Sequence, residues 1–485
     1  MSVARNTLYN IMGATTPTVV ALVTVPLYLR RIGEARYGVL AIVWLLLGYF
    51  GSFDLGLSRA MTNRVAQLRT ASAEERERVF WTACTLNALI GMAAGAVFYI
   101  AGGWSFGSWF RMSGSLHSEV ELALPWIAAA IPVATLTAAL TGALEGMQQF
   151  STVNVIQSVG SVLFQVAPLL AAYWLSPSLQ YLIPVAVVVR CITAVPLVWA
   201  VKHGLPVAGP PRLHRRQVRN LFAYGGWVAI SNIVGPILVT FDRVLIGIIL
   251  GASAVAYYVV PFQLVNRAQV IPAALARALF PHLSEIDTAE SRRVSLTAIV
   301  TLAAVMTPII VLGLLLIRPF LQLWVGTSFA AEAAPVGEIL LLGMWVNGLG
   351  YVPFALLQAQ GRPDVVAKFH LFEVAPFLIF LWLALPRFGI VAAAVAWAAR
   401  VSADVLLLLS AAGLSTDVVR MLMPALALVA IAGVYTLVFP GASTEVRLCV
   451  DGTLLVLSCS WALATSGRLR AILHRMLSSL NVFAE

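Results

Sequence analysis

The stretch "VAWAARVSADVLLLLS", residues 395–410, sets an arginine, Arg400, into a run that otherwise reads as the interior of a lipid bilayer. A helix of about 20 such apolar residues is long enough to cross the hydrocarbon core. Segments of this kind recur along all 485 residues, and the chain is 60% hydrophobic, 11% charged and has a mean hydropathy of +0.90. That composition lies outside the range of soluble domains and describes an all-α integral membrane protein.

Outward from residue 400, apolar spans centre near residues 19, 48, 90, 134, 163, 191, 234, 267, 306, 346, 377, 400, 430 and 455, about fourteen transmembrane helices in all. The longest polar connections, 102–121 and 202–220, fall short of the roughly 50 residues that an independent domain needs. Function is therefore expected inside the membrane. The first span starts near Tyr9, lacks an A-x-A-like cleavage site and is interrupted by "TTPT" at Thr15 to Thr18, so it reads as a retained helix. Cys84, Cys191, Cys449 and Cys459 all fall within spans without C-x-x-C spacing, which suggests apolar fillers rather than disulfides or metal ligands.

With the N-terminus inside, most of the 31 lysines and arginines fall on cytoplasmic connections, notably Arg59 to Arg78 and Lys202 to Arg219. This asymmetry places both termini in the cytoplasm. The net charge of +10 is spread over short loops without interleaved aromatics, so it reports topology and not a nucleic-acid partner. The tail "GRLRAILHRMLSSL", from Gly467, carries a helical apolar stripe backed by basic residues and is expected to lie along the membrane surface.

The polar segment "HGLPVAGPPRLHRRQVRN" divides the chain into a six-helix lobe at 1–201, a cytoplasmic linker at 202–220 and a second six-helix lobe at 221–412. Two additional helices at 413–465 and the cytoplasmic tail at 466–485 complete the expected layout. "RRIGEARYGVL", from Arg30, has a loose counterpart in "GIILGASAVAYYVV", from Gly247, and Arg190 and Arg400 occupy equivalent places if six spans repeat. Paired lobes with polar groups at the bilayer midplane are a common plan for secondary transporters.

A charged side chain at the bilayer centre costs about 2.5–3.5 kcal/mol on insertion scales, so Arg190, Arg267 and Arg400 need a reason. For Arg400 that reason is either an ion pair with Asp404, one helical turn on, or a place in a solvated cavity. Arg190 and Arg267 have no acid at i±3 or i±4; they line a cavity or pair between helices, and Gln263 and Asn266 beside Arg267 suggest the cavity. Guanidinium forks suit phosphate and carboxylate, which implies anionic cargo. Asp54, Glu145, Asp242, Glu338 and Glu373 read as lying toward span ends, with only Asp404 near mid-depth. Asp404 and Glu373 are the candidates for a coupling ion, against a capping or pairing role.

No Gly-Lys-Ser/Thr P-loop, H-E-x-x-H or catalytic carboxylate pair occurs, the six histidines are scattered singly, and no cofactor or catalytic residue is expected. The G-x-x-x-G runs at Gly91, Gly142 and Gly247 fit close helix packing.

"VPLYLRRIGEARYGVLAI" from Val25, "FDLGLSRAMTNRVAQL" from Phe53, "LEGMQQF" from Leu144, "FDRVLIGIILGASAVAYY" from Phe241 and "LFPHLSEI" from Leu279 together resemble the Wzx-type polysaccharide flippases of the multidrug/oligosaccharidyl-lipid/polysaccharide exporter superfamily. The resemblance implies a V-shaped pair of six-helix lobes with two extra helices in the bacterial inner membrane. Its implied task is moving undecaprenyl-diphosphate-linked oligosaccharide outward by alternating access, with membrane lipid and other polysaccharide assembly proteins as partners. A cationic cavity is implied as well, a role that Arg190, Arg267 and Arg400 would suit. The related lipid II flippases carry arginines in the first span; Tyr9 to Leu29 has none, which counts against a peptidoglycan precursor. The alternatives are a cation-coupled small-molecule antiporter of the same superfamily and a membrane polysaccharide polymerase or ligase.

Overall fold

The computed structural model describes residues 3–51, 56–68, 72–109, 112–205, 214, 217–218, 240–441, 443–467 and 470. These form α1 (Val3–Phe50), α2 (Leu57–Gln67), α3 (Ala73–Trp109), α4 (Gly114–Gly146), α5 (Phe150–Trp174) and α6 (Leu179–Gly204). After a helical stretch at 240–249 come α7 (Ala252–Val265), α8 (Val270–Glu285), α9 (Thr288–Val325), α10 (Thr327–Ala359), α11 (Pro363–Ala411), α12 (Ser415–Val438) and α13 (Thr444–Thr465). No strand occurs among the described residues, and ten of the helices are long and apolar enough to cross a membrane. The fold is an all-helical, multi-pass membrane bundle.

Ten helices accommodate more than ten crossings because α1 and α11 each double back. Gly33 (φ 78°, ψ 168°) and Gly389 (φ 61°, ψ −153°) adopt backbone angles open essentially to glycine alone. A straight helix would hold Tyr28 and Trp44 about 24 Å apart at 1.5 Å per residue. Their rings instead meet edge-to-face at 5.3 Å. The spans expected near 19 and 48, and near 377 and 400, are thus the two arms of two helical hairpins. The span expected near 234 lies outside the described residues, as do most of the 202–220 connection and most of the tail.

The span expected near 267 is not one helix. It stops at Val265, passes through a 3₁₀ turn at Asn266–Gln269 and resumes as α8. Pro272 explains the break: it has no N–H to give to the carbonyl four residues earlier, so it is best placed in the first turn of a new helix.

Compact packing divides the chain into Met1–Ala256 and Tyr257–Glu485. In the first unit, α2 buries Leu57, Ala60, Met61 and Val65, one face at helical spacing, against α4. Gly142 allows the approach: a Cβ there would sit 2.6 Å from the Ser58 carbonyl oxygen, and the Thr62 hydroxyl donates to the Gly142 carbonyl at 3.0 Å. The G-x-x-x-G run at Gly142 is therefore a packing device. In the second unit, α9, α10 and α11 form the packed centre, where the buried Trp345 indole donates to Thr307 at 3.0 Å.

One ion pair fixes three elements of the first unit. Arg36, three residues past the Gly33 turn, donates from Nε at 3.0 and 3.1 Å and from Nη2 at 2.6 Å to Glu119 of α4, and Glu119 also accepts from the Leu179 amide at the start of α6 at 2.9 Å. Glu119→Ala orphans both a guanidinium and a helix-terminal N–H, and is expected to lower stability in detergent by about 2–3 kcal/mol, read as a fall in the thermal unfolding midpoint.

Candidate functional site

A cluster of four ionisable side chains lies on the α11 hairpin. His370, Glu373 and Phe377 occupy one face of its first arm at helical spacing, and Arg400 and Asp404 occupy one face of the second. The turn at Gly389 brings these faces together. Arg400 Nη1 donates to Glu373 Oε2 at 3.4 Å, and its guanidinium carbon lies 5.5 Å from the centre of the Phe377 ring. His370 Nε2 lies 3.8 Å from Asp404 Oδ1. Side-chain exposure falls to 5% for Glu373 and 13% for Arg400.

The partner of Arg400 is thus Glu373, across the hairpin, and not Asp404 on its own arm; Asp404 faces His370. Glu373, which the sequence placed toward a span end, is level with Arg400 inside the bundle. Three of the cluster's polar atoms, Glu373 Oε1, Arg400 Nε and Asp404 Oδ1, are buried without a hydrogen-bond partner among the described residues. Two acids, an arginine and a histidine crowd one apolar site, an arrangement that can take up or release a proton. No group of three or more His, Cys, Asp or Glu poised for a metal occurs among the described residues.

Arg190, near the midpoint of α6, is half-buried and makes no side-chain ion pair or hydrogen bond among the described residues. Arg267 is exposed on the 3₁₀ turn with Asn266, with the half-buried Gln263 one turn earlier, and it too has no side-chain partner among the described residues. A 3₁₀ turn within a span shifts the side-chain phase and leaves backbone groups free to bind. Gln269 of the same turn accepts from the Tyr351 hydroxyl of α10 at 3.1 Å, and Arg277 lies within electrostatic reach of Tyr351.

Sequence reading missed His370, Tyr351 and Gln269. For His370 a signal existed: its i, i+3 spacing to Glu373 puts both on one helix face. For Tyr351 and Gln269, 82 residues apart, no local signal existed.

The family description "Polysaccharide biosynthesis protein" matches residues 3–287. The chain belongs to that family. The resemblance read from the sequence motifs is borne out, and the chain is similar to a Shigella flexneri protein named "Putative O-antigen transporter", 30% identical over 409 residues, 84% of this chain and 97% of the relative. Among solved structures, the lipid II flippase MurJ in an inward closed conformation matches with a TM-score of 0.74 at 13% identity, covering 97% of this chain and 99% of that one. A multidrug resistance MATE family transporter of the MOP superfamily, inward-facing, matches with a TM-score of 0.70 at 12% identity, covering 84% of this chain and 95% of that one. At such identities these structures establish the shared fold: the chain is a membrane transporter-fold protein of a polysaccharide biosynthesis family.

Proposed function

We propose that the protein is a flippase that carries undecaprenyl-diphosphate-linked oligosaccharide, the repeat unit of a surface or exopolysaccharide, across the bacterial inner membrane by alternating access. The observations that carry this reading are two guanidiniums without side-chain partners among the described residues, Arg190 in the apolar helix α6 and Arg267 on the 3₁₀ turn, in a chain from a polysaccharide biosynthesis family. An unpaired cation there is costly, and a bound diphosphate offsets that cost through bidentate hydrogen bonds. The name of the Shigella relative supports the same reading. Gln263 and Asn266 would add hydrogen bonds beside Arg267, while Arg400 enters only if Glu373 releases it.

In this reading the lobes are 1–201 and 221–412, joined by the 202–220 linker, with two additional helices at 413–465 and a cytoplasmic basic tail at 466–485. Both termini are cytoplasmic, and membrane lipid and polysaccharide assembly proteins are the partners. Glu373 and Asp404 carry the coupling ion.

The test uses cells lacking the gene, in which the lipid-linked oligosaccharide on each leaflet is measured. Complete repeat units are expected to accumulate on the cytoplasmic leaflet. Wild type clears them, whereas Arg190→Ala and Arg267→Ala each slow clearance by about tenfold, the loss of one charged hydrogen-bonding group. Full clearance by the double alanine variant would overturn the arginine site.

The buried acids favour one second reading, a cation-coupled small-molecule antiporter. It predicts drug resistance on overexpression that Asp404→Asn abolishes, with an unchanged lipid-linked pool in cells lacking the gene. A polymerase or ligase needs a large loop of catalytic side chains, and most of 102–121 is taken up by α3 and α4.

A further inference from the structure

Away from these residues, a cavity of about 140 Å³ lies among α9, α10, α12 and α13, lined by Arg318, Glu338, Tyr435, Phe439, Arg447 and Asp451 among others. It has room for several waters. One wall is electrically closed: Arg318 of α9 binds Glu338 of α10 through contacts of 3.1 to 3.4 Å, and the Glu338 side chain is fully buried.

The opposite wall is open. Asp451 Oδ1 and Tyr435 Oη are buried and have no hydrogen-bond partner among the described residues. Arg447 stands one helical turn before Asp451, a spacing at which such side chains commonly pair. It instead gives an N–H to the Pro440 carbonyl and makes no ion pair with Asp451 among the described residues, although Asp451 and Tyr435 both lie within its electrostatic reach. A cation and an anion therefore face the same small space without a direct contact between them among the described residues. A buried polar atom left without a partner is costly, so a ligand that satisfies these atoms is favoured.

Depth and surroundings narrow the ligand. Asp451 lies about two turns into α13, and Tyr435 lies in the last turn of α12, the level at which a bilayer gives way to headgroups. The lining reaches the outer surface of the bundle through Leu316, 51% exposed, and Phe439, 59% exposed. A molecule entering there brings an apolar portion along that surface and a polar end into the cavity.

We propose that this cavity holds the headgroup of a membrane phospholipid bearing both a phosphodiester and a primary ammonium. The phosphate oxygens accept from Arg447, and the ammonium donates to Asp451 and Tyr435. A glycerol headgroup would satisfy Arg447 but bring no cation to Asp451, and a quaternary ammonium has no N–H to give to the two waiting oxygens. The lipid ties α12 and α13 to α9 and α10, and the distribution of basic residues assigns it to the outer leaflet.

The test is native mass spectrometry of the full-length purified protein, loaded with phosphatidylethanolamine, phosphatidylglycerol or phosphatidylcholine of identical acyl chains and then stripped with detergent. Wild type is expected to retain the ethanolamine lipid about tenfold better than the other two, as one charged hydrogen bond allows. Asp451→Asn should erase the preference for ethanolamine over choline, and Arg447→Gln should weaken retention of all three. Tyr435→Phe, which changes no shape, should reduce the preference and serves in place of either variant that is not recovered folded, as judged by its thermal midpoint. Equal retention of the three lipids by wild type, or an unchanged preference in folded Asp451→Asn or Tyr435→Phe protein, overturns the assignment.

Discussion

Arg400→Met with Glu373 left in place is expected to lower unfolding free energy by about 3–5 kcal/mol, because it strands a carboxylate inside the bundle. Glu373→Leu with Arg400 left in place should do the same. The double replacement should recover most of the loss, since two apolar side chains of similar volume leave neither an unpaired charge nor a large void. The exposures of 5% and 13% place this pair well inside the regime where the orphaned partner, and not the lost attraction, sets the cost. Thermal or denaturant unfolding in detergent of all four proteins gives the coupling energy. A coupling below about 0.5 kcal/mol would show that the two side chains act independently. The double variant is also the useful protein for function: if it is stable yet fails to clear lipid-linked oligosaccharide, the charges at 373 and 400 serve transport beyond holding the hairpin together.

Gly38→Ala is expected to be as damaging, although it adds a single methyl group. A Cβ at this position falls onto the Ala252 carbonyl oxygen, and the next nearest atoms, the Ala252 carbonyl carbon at 2.9 Å and the Ala256 nitrogen at 3.3 Å, also belong to the backbone. No side chain is available to swing away, so the helix start at Ala252 must move. The expected loss is about 3 kcal/mol, at the upper end of the range for overpacking. Gly103→Ala in α3 is the matched control, because nothing lies within 4 Å of its Cβ. That variant should be neutral or slightly stabilising, alanine being about 1 kcal/mol better than glycine inside a helix. Equal midpoints for the two variants would show that the Gly38 contact is not tight.

What could be read from the sequence was governed by how local the physics is. Hydropathy is a property of each segment taken alone, so the two apolar arms around residues 19 and 48, and around 377 and 400, were legible. So was the packing role of Gly142, since small residues four apart present one smooth face of a helix. The short helix α2 was passed over because it is too polar and too short to register as a span, and its stability comes from lying on α4. The break at Asn266–Gln269 was signalled only by Pro272, and prolines are common in membrane helices. The choice of partner for Arg400 was the least legible point. Asp404 is the nearest acid along the chain, but folding at Gly389 brings up Glu373, 27 residues away, and a chain reversal cannot be seen in i, i+4 spacing. Arg190 and Arg267 were recognised as unusual for the right reason, a charge in an apolar span without a neighbouring acid, and among the described residues they remain without partners.

The Gly389 hairpin also bears on how the chain enters the bilayer during synthesis. Glu373 leaves the ribosome 27 residues ahead of Arg400, so the carboxylate reaches the insertion machinery first. Neither arm then needs to partition into lipid as an isolated charged helix: the arms can leave the translocon as a prepaired unit whose two charges cancel. Arg400 would thus be tolerated because an acid precedes it in time as well as facing it in space.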